Sequence, residues 1–461
     1  MKIFFIIPPS IHYIEPYAPL VADKSNGARV YLGILYLAAY LREKTGITVK
    51  IIDSVAEQYS LSDLARIIED EKPDMIGFSV LTFNLLNCLA VCEIIKKNSP
   101  ETKICFGGWH PTLYPNETLK FDCVDYIVIG EGEVTFSELV STNNPKGIKG
   151  VGYKENGKVI INSPREIIRK LDDIPFPAYD LIDISKYSNI LASDKLAITI
   201  ITSRGCPHKC IFCDIRKTQY RYRTPENMIE EITSWTDKGV KEFFIQDDNF
   251  TSRRTRAIAF CKMLIDLNLN IKYKISSRVD YLDDELVKYL KKSGCYRIYF
   301  GVESGSQKIL DYLQKGITVE QIEKAFKLSK KHRIDACAYI MIGIPTETEE
   351  ELTMTMELIR KIKPNHLHCS ICTPMPRTLL YQNLLKNGTI SNDYWLEFAN
   401  NPDPNFKTPF SNNDKDWRKL QNSIQKKFYM NPRIIFKELQ KTRDLKKIIS
   451  KAKTAINIIR S

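Results

Sequence analysis

The run TSRGCPHKCIFCD, Thr202 to Asp214, sets Cys206, Cys210 and Cys213 in a C-x3-C-x2-C array. It follows the β-rich run Ala197-Ile198-Thr199-Ile200-Ile201, and Gly205 and Pro207 suit a tight loop rather than a helix. Thiolates hold iron–sulfur clusters, and a four-iron cube takes one ligand per iron. Three cysteines therefore leave one iron open to a small molecule. A structural zinc ion would want a fourth Cys or His at a matching spacing. His208 lies between two of the thiols, where its reach is poor. The bland alternative is a set of buried or incidental thiols.

Outward from the array, strands and helices alternate. Strands are expected at 197–202, 242–246, 272–276, 297–302, 336–342 and 366–371, with a helical pattern after each. Six such units in a row imply a partial (β/α)6 TIM-like barrel, whose chemistry gathers at the carboxyl ends of the strands. The cysteine loop lies at such an end. So do Asp247-Asp248-Asn249, Arg278, Glu303-Ser304-Gly305 and Gly343-Ile344-Pro345-Thr346. Acids and hydroxyls there can accept hydrogen bonds from an amino group or ribose, and an Arg can pair with a carboxylate. Singly, each reads as a solvated loop charge or a helix cap. As a set at successive strand ends they favour a ligand.

Upstream, apolar runs at 2–7, 48–52, 75–80, 103–106 and 126–129 alternate with helical patterns. This argues for an α/β, doubly wound parallel sheet of flavodoxin or Rossmann type, with its ligand beyond the strand ends at the switch point. The loops there are Pro8-Pro9-Ser10, Ser79-Val80-Leu81-Thr82-Phe83-Asn84, Gly107-Gly108-Trp109-His110-Pro111-Thr112 and Gly130-Glu131-Gly132-Glu133. Paired glycines let backbone approach a ligand closely. The expected division is residues 1–145, a linker over 146–195 with a hairpin at Asn156-Gly157, the barrel over 196–390, and a basic helical C-terminal tail over 391–461.

Composition sets the bounds. The 461 residues are 43% hydrophobic and 26% charged, values of an ordinary globular protein. The longest apolar run, 31–41, is too short to span a bilayer, and the N-terminus has no signal-peptide pattern. A cytoplasmic protein with twelve reduced cysteines is expected. The net charge of +12 is concentrated in residues 415–461, where 14 Lys/Arg face 3 Asp/Glu. There Leu445, Ile448, Ile449, Ala452, Ile456 and Ile459 recur at helical spacing among lysines. The pattern is a basic amphipathic helix, either packed on the surface or touching an anionic membrane peripherally or an acidic substrate. No RNA-binding module accompanies the charge, so no specific nucleic acid is expected. Cys369 and Cys372 form a CxxC that would face opposite sides of a strand, and Cys88 and Cys92 share one helix face and read as core.

The cysteine array, with Phe212 just before its third Cys, resembles the signature of the radical S-adenosylmethionine (SAM) superfamily. The glycine loops ahead of it resemble the cobalamin (B12) domain of that superfamily's cobalamin-dependent group. The resemblance covers about residues 1–390. It implies a [4Fe-4S] cluster on Cys206, Cys210 and Cys213, and SAM near Phe212, Asp247, Asp248, Arg278, Glu303, Ser304 and Gly343. It also implies cobalamin near Ser79, Thr82, Gly107, Gly108, Trp109, His110, Gly130 and Glu131. The D-x-H-x-x-G motif that would ligate cobalt is absent, and His110 reads as a loop residue beside the ligand. Arg377 stands where the group usually has Gly. The N-terminal cluster cysteines of transfer-RNA methylthiotransferases are missing.

The function implied is a methyltransferase. The adenosyl radical removes hydrogen from an unactivated carbon, and methylcobalamin, recharged by a second SAM, delivers the methyl group to that carbon; phosphinate phosphorus and sp2 carbon are the other acceptors the resemblance implies. The acceptor would be a small-molecule, lipid or natural-product substrate, and an electron donor such as flavodoxin or ferredoxin is implied. The alternatives are a cyclisation or rearrangement on the same cofactors, and, in another class, a non-catalytic cobalamin-binding sensor or carrier. The intact cysteine triplet argues against the last.

Overall fold

The computed structural model describes residues 1–12, 30–187, 196–215, 218–408 and 416–441. They form two compact units. One holds the described residues of 1–187 together with 387–408, and the other holds the rest.

The first unit is built on strands β1 (Lys2–Ile7), β2 (Thr48–Asp53), β3 (Met75–Ser79), β4 (Lys103–Gly107), β5 (Tyr126–Val128), β6 (Val151–Glu155) and β7 (Lys158–Ile161). Their spatial order is β2-β1-β3-β4-β5-β6-β7, and β1 to β5 are parallel. The reversal of direction in strand order falls between β1 and β3, which opens a crevice at their carboxyl ends. β1 shows why the sheet is covered on both faces. Phe4 and Ile6 enter one apolar cluster, and Ile3, Phe5 and Ile7 enter the other, as expected of a buried parallel strand. Gly77 on β3 leaves room for the Phe5 ring, which a Cβ would meet at 2.7 Å.

Two parts of the chain sit elsewhere than the sequence reading places them. The hairpin assigned to a linker is the edge of the first sheet, because β6 pairs antiparallel with β5 and β7 with β6. It covers the polar edge that β5 would otherwise expose. Its turn residues Asn156 and Gly157 both have positive φ, 51° and 75°, as a type I′ turn demands. Residues 387–408, assigned partly to the barrel and partly to the tail, also pack into the first unit. Trp395 and Phe398 are buried there, with the Trp395 ring edge-on to Phe83 at 5.8 Å. An aromatic helix face cannot stay in water at little cost.

The second unit carries β8 (Ala197–Ile200), the short antiparallel pair β9 (Ser203–Arg204) and β10 (Arg221–Tyr222), then β11 (Glu242–Ile245), β12 (Lys272–Ser277), β13 (Cys295–Glu303), β14 (Asp335–Ile342) and β15 (His366–Ile371). The main sheet is all parallel in the order β15-β14-β13-β12-β11-β8. Among the described residues β8 and β15 do not pair, so the sheet stays open. Helix Trp417–Tyr429 lies along the β15 edge. Gln421 and Gln425 donate to the Cys369 carbonyl at 2.7 and 3.3 Å, and the Tyr429 hydroxyl donates to the Leu367 carbonyl at 2.9 Å. Side chains thus do the work of an absent strand.

The amphipathic pattern from Leu445 to Ile459 lies outside the described residues. No described helix is long and apolar enough to cross a membrane.

Candidate active site

The cysteine loop is held from below by Asp247. Its carboxylate, at the end of β11, accepts the Thr202 and Ser203 N–H groups at 2.7 and 3.0 Å and the Thr202 hydroxyl at 2.6 Å. Arg256, buried in helix Arg254–Asp266, approaches the same carboxylate to 3.8 Å. It also donates to the Thr202 and Arg223 carbonyls at 2.8 and 2.9 Å. Further along, the Cys206 N–H donates to the Thr218 hydroxyl at 2.8 Å. Ile211 donates to the Leu313 carbonyl at 3.0 Å and accepts from Leu380 N–H at 2.8 Å. Gly205, at φ 84°, could not carry a Cβ, which would lie 2.4 Å from the Gln219 carbonyl.

All three thiols on this frame are free. Burial raises the Cys206 thiol above its ordinary range and pushes Cys213 up to about 12. Among the described residues, no three His, Cys, Asp or Glu side chains converge as they would on a single metal ion. Thiols spread along one loop suit a four-iron cube, which takes them at separate corners. His208 is turned to the Tyr281 hydroxyl at 3.2 Å and is held down to about 4 by burial.

The strand-end residues expected at SAM divide into two kinds. Asp247 has both oxygens engaged by the loop. Ser304 is buried, and its hydroxyl meets Thr355 Oγ1 at 3.1 Å and accepts the Ser306 N–H at 3.1 Å. Arg278 gives its fork to Asp280 in two 3.0 Å bonds and points Nη1 at the Cys210 sulfur from 4.0 Å. These three therefore shape the frame. Asp248, by contrast, is exposed and accepts no hydrogen bond from a described residue. Partial loss of water, then Asp247 and Asp214, raise its carboxyl to about 6. Among the described residues it is a free acceptor at this end of the sheet. An acid raised to about 6 is neutral below that pH and charged above it. SAM affinity measured by equilibrium dialysis should therefore rise several-fold from about pH 5 to about pH 7, and Asp248→Asn should flatten the rise.

Glu303 ends β13 with a left-handed φ of 63°, and its carboxylate pairs with buried Lys315 at 2.7 Å. Gly301 makes the space, since a Cβ there would lie 2.6 Å from both Glu303 Oε1 and Lys315 Nζ. Burial opposes the Lys315 charge, but Glu303 and the Cys210 thiol outweigh it and its pKa is raised. Its ammonium also lies 5.7 Å from the Phe212 ring centre. Gly343, at φ 71°, faces the Trp417 ring, which a Cβ would meet at 3.1 Å. Arg377 adopts φ 57°, so the turn keeps the geometry a glycine would take at an expense of about 1–2 kcal/mol.

In the first unit the loops after β3 and β4 interlock. Gly108, at φ 94°, has the Val80 carbonyl, the Val80 nitrogen and the Ser79 hydroxyl 3.0, 3.1 and 3.3 Å from where a Cβ would lie. His110 is fully buried. Its Nδ1 meets the Thr82 hydroxyl at 3.1 Å, while Nε2 has no partner among the described residues. Burial holds the ring neutral, down to about 4. Leu81 and Trp109 stay 40% and 41% exposed, an apolar surface over the crevice. Gly107 has only ordinary contacts, and Gly130 opens onto free space. Glu131 instead accepts the Ile168 N–H at 2.9 Å. Left-handed Gly108, an unfilled space at Gly130 and exposed apolar side chains suit a broad, flat cofactor. Gly108→Ala should push the two loops apart, so that cobalamin retained through gel filtration, read by absorbance, falls about tenfold, the effect of roughly 1.4 kcal/mol.

Arg256, Lys315, Thr218 and Trp417 were not singled out in the sequence. Arg256 had a signal: it shares a helix face with the buried Phe260, where a charge needs a partner. Lys315 and Trp417 gave none, since their roles depend on distant residues.

A parallel sheet with an antiparallel edge hairpin and a glycine-lined crevice, joined in one chain to an all-parallel sheet whose strand ends frame three free thiols, is the arrangement of a radical SAM enzyme with a B12 domain. The radical SAM superfamily profile matches residues 200–359, and the B12 binding domain profile matches residues 20–140. The chain belongs to this B12-binding radical SAM family, and its cofactors are a [4Fe-4S] cluster, SAM and cobalamin.

It is 34% identical, over 95% of both chains, to an uncharacterized methyltransferase of Pyrococcus horikoshii. It is 30% identical to the anaerobic magnesium-protoporphyrin IX monomethyl ester cyclase of Rubrivivax gelatinosus, over 76% of this chain and 65% of that one. Among solved structures, the radical SAM methyltransferase TsrM of Kitasatospora setae has the same fold, at TM-score 0.68 and 16% identity over 84% of this chain and 76% of that one.

Proposed function

We propose that the protein is a cobalamin-dependent radical SAM methyltransferase. What carries this reading is the full-length similarity to a relative named as a methyltransferase, joined to a chain that keeps all three cluster cysteines. In this reading the first unit binds cobalamin through Ser79, Thr82, Gly107, Gly108, Trp109, His110 and Gly130. The second holds the cluster on Cys206, Cys210 and Cys213. When bound, the cluster supplies the electron that splits SAM, and cobalamin carries the methyl group.

This chain's residues supply the rest. Asp247 and Arg256 fix the base of the cysteine loop, and Asp248 accepts hydrogen bonds from the SAM amino group. Phe212, Glu303 and Gly343 border the nucleoside, and the buried frame excludes water. The acceptor is a small molecule or lipid, and the electron comes from a donor of flavodoxin or ferredoxin type in a cytoplasmic setting. The basic tail offers a peripheral contact to an anionic membrane.

The Rubrivivax similarity favours one second reading, a cyclisation on the same cofactors. Anaerobic turnover of methyl-deuterated SAM with an extract of a deletion strain separates the two. Methyl transfer yields S-adenosylhomocysteine and deoxyadenosine in equal amounts, with the label in a new metabolite. Turnover giving deoxyadenosine, unlabelled product and no S-adenosylhomocysteine would overturn the methyltransferase reading.

A further inference from the structure

One face of the second sheet carries a charge that the residues discussed so far leave unused. Lys274, in the middle of β12, is 2% exposed, and its ammonium sits 4.7 Å from the Phe244 ring centre. It makes no hydrogen bond or ion pair with a described residue, whereas the other buried charges on that face are matched. Glu242 accepts the Tyr296 hydroxyl at 2.5 Å, Arg297 faces Asp335 at 3.6 Å, and Lys315 holds Glu303 at 2.7 Å. Burial, then Arg297, depress the Lys274 pKa to about 8, with Glu242 opposing. A buried amine with no direct ion pair is expensive, and such groups gather where a ligand completes the pairing.

The register places Lys274 in company. Lys274 pairs with Phe244 and with Arg297, Ser276 pairs with Tyr299, Gly301 with Tyr339, and Tyr339 with His368. Directly paired residues of a parallel sheet point to one face. Across that face the Tyr299 and Tyr339 rings stack at 5.8 Å and 24°, and His368 stands edge-on to Tyr339 at 5.1 Å. Tyr339 is 36% exposed although it lies on an interior strand, so this face is open there. Gly301, beside Tyr339, gives way on the same face to Glu303 and Lys315, the pair next to Phe212 and Cys210. The aromatic row therefore leads toward the cluster loop.

We propose that this face binds the substrate as an organic anion, a carboxylate or a phosphate monoester on a flat carbon frame. Lys274 supplies the counter-charge, and Tyr299, Tyr339 and His368 contact the frame. The inference rests on reading this unit as the SAM-cleaving site.

The probes are phenyl phosphate, benzoate and neutral benzamide, titrated calorimetrically into the anaerobically purified holoenzyme. Phenyl phosphate or benzoate should bind about tenfold or more tighter than benzamide, as a charged hydrogen bond worth about 1.5–3 kcal/mol requires. Which of the two binds distinguishes phosphate from carboxylate. Lys274→Met should abolish the preference and Lys274→Arg should keep it. Because Lys274→Met could fail to fold, protection is also read on the unaltered protein. The preferred anion should shield Lys274 from acetic anhydride, measured by peptide mass spectrometry. Equal binding of all three probes, or an unprotected Lys274, would overturn the proposal. Deoxyadenosine formation in the same samples tells the two failures apart: SAM cleavage without anion preference sinks only this inference, and no cleavage sinks the reading beneath it.

Discussion

Cys213→Ala is expected to leave a folded protein that lacks the visible absorbance of an iron–sulfur cluster and forms deoxyadenosine only at background. The three thiols sit on one loop whose backbone is fixed at Thr202, Ser203, Cys206 and Ile211, so the loop should keep its course without Cys213. A cube missing one of three protein ligands has two open corners and is no longer held in place. Cys88→Ala is the control. That thiol is buried in the apolar core of the first unit, so its loss should cost core stability yet leave the iron content unchanged. Equal iron in Cys213→Ala and the unaltered protein would remove the cluster from this site.

Asp247→Ala should destabilise the second unit by about 3–5 kcal/mol, because it strands the buried Arg256 guanidinium and two backbone donors. For a unit of this size that corresponds to a fall in Tm of roughly 10 °C. Iron should fall with it, since the released Thr202-Ser203 segment carries the loop. Asp247→Asn keeps the oxygen that accepts both N–H groups, loses the one that accepts the Thr202 hydroxyl, and should cost less, about 1–3 kcal/mol. Thermal unfolding by circular dichroism, paired with iron analysis, reads both effects. A variant that loses iron at an unchanged Tm would make Asp247 a ligand-contacting group rather than the anchor its hydrogen bonds describe.

Much of the site was legible because its chemistry is local. The C-x3-C-x2-C spacing, the strand before it and the glycines after β4 and β5 are short-range patterns, and the structure puts all of them at strand ends. The alternation of strands and helices was legible for the same reason: β1 through β5 and the six main strands of the second unit lie where the periodicity put them, with ends moved by a residue or two. The division between units was less so. The hairpin at Asn156-Gly157 was readable as a turn, but only the free edge of β5 decides where it pairs. The segment 387–408 follows the barrel in sequence yet buries its aromatic residues in the other unit.

The sequence by itself determined which atoms are available: three thiols on one loop, acids at successive strand ends, and glycines where backbone must come close. Tertiary structure alone decided which of those atoms remain free. Asp247 and Asp248 are neighbours in the chain, but the first spends its carboxylate on Thr202 and Ser203 and the second has no hydrogen-bond partner among the described residues. Arg278 turns to Asp280, and Lys274, an ordinary strand lysine by sequence, is left without a direct partner among the described residues. The reason is that hydrogen bonds and ion pairs saturate through space. A side chain's chemistry is encoded at its position, while its vacancy depends on residues brought there from elsewhere in the fold.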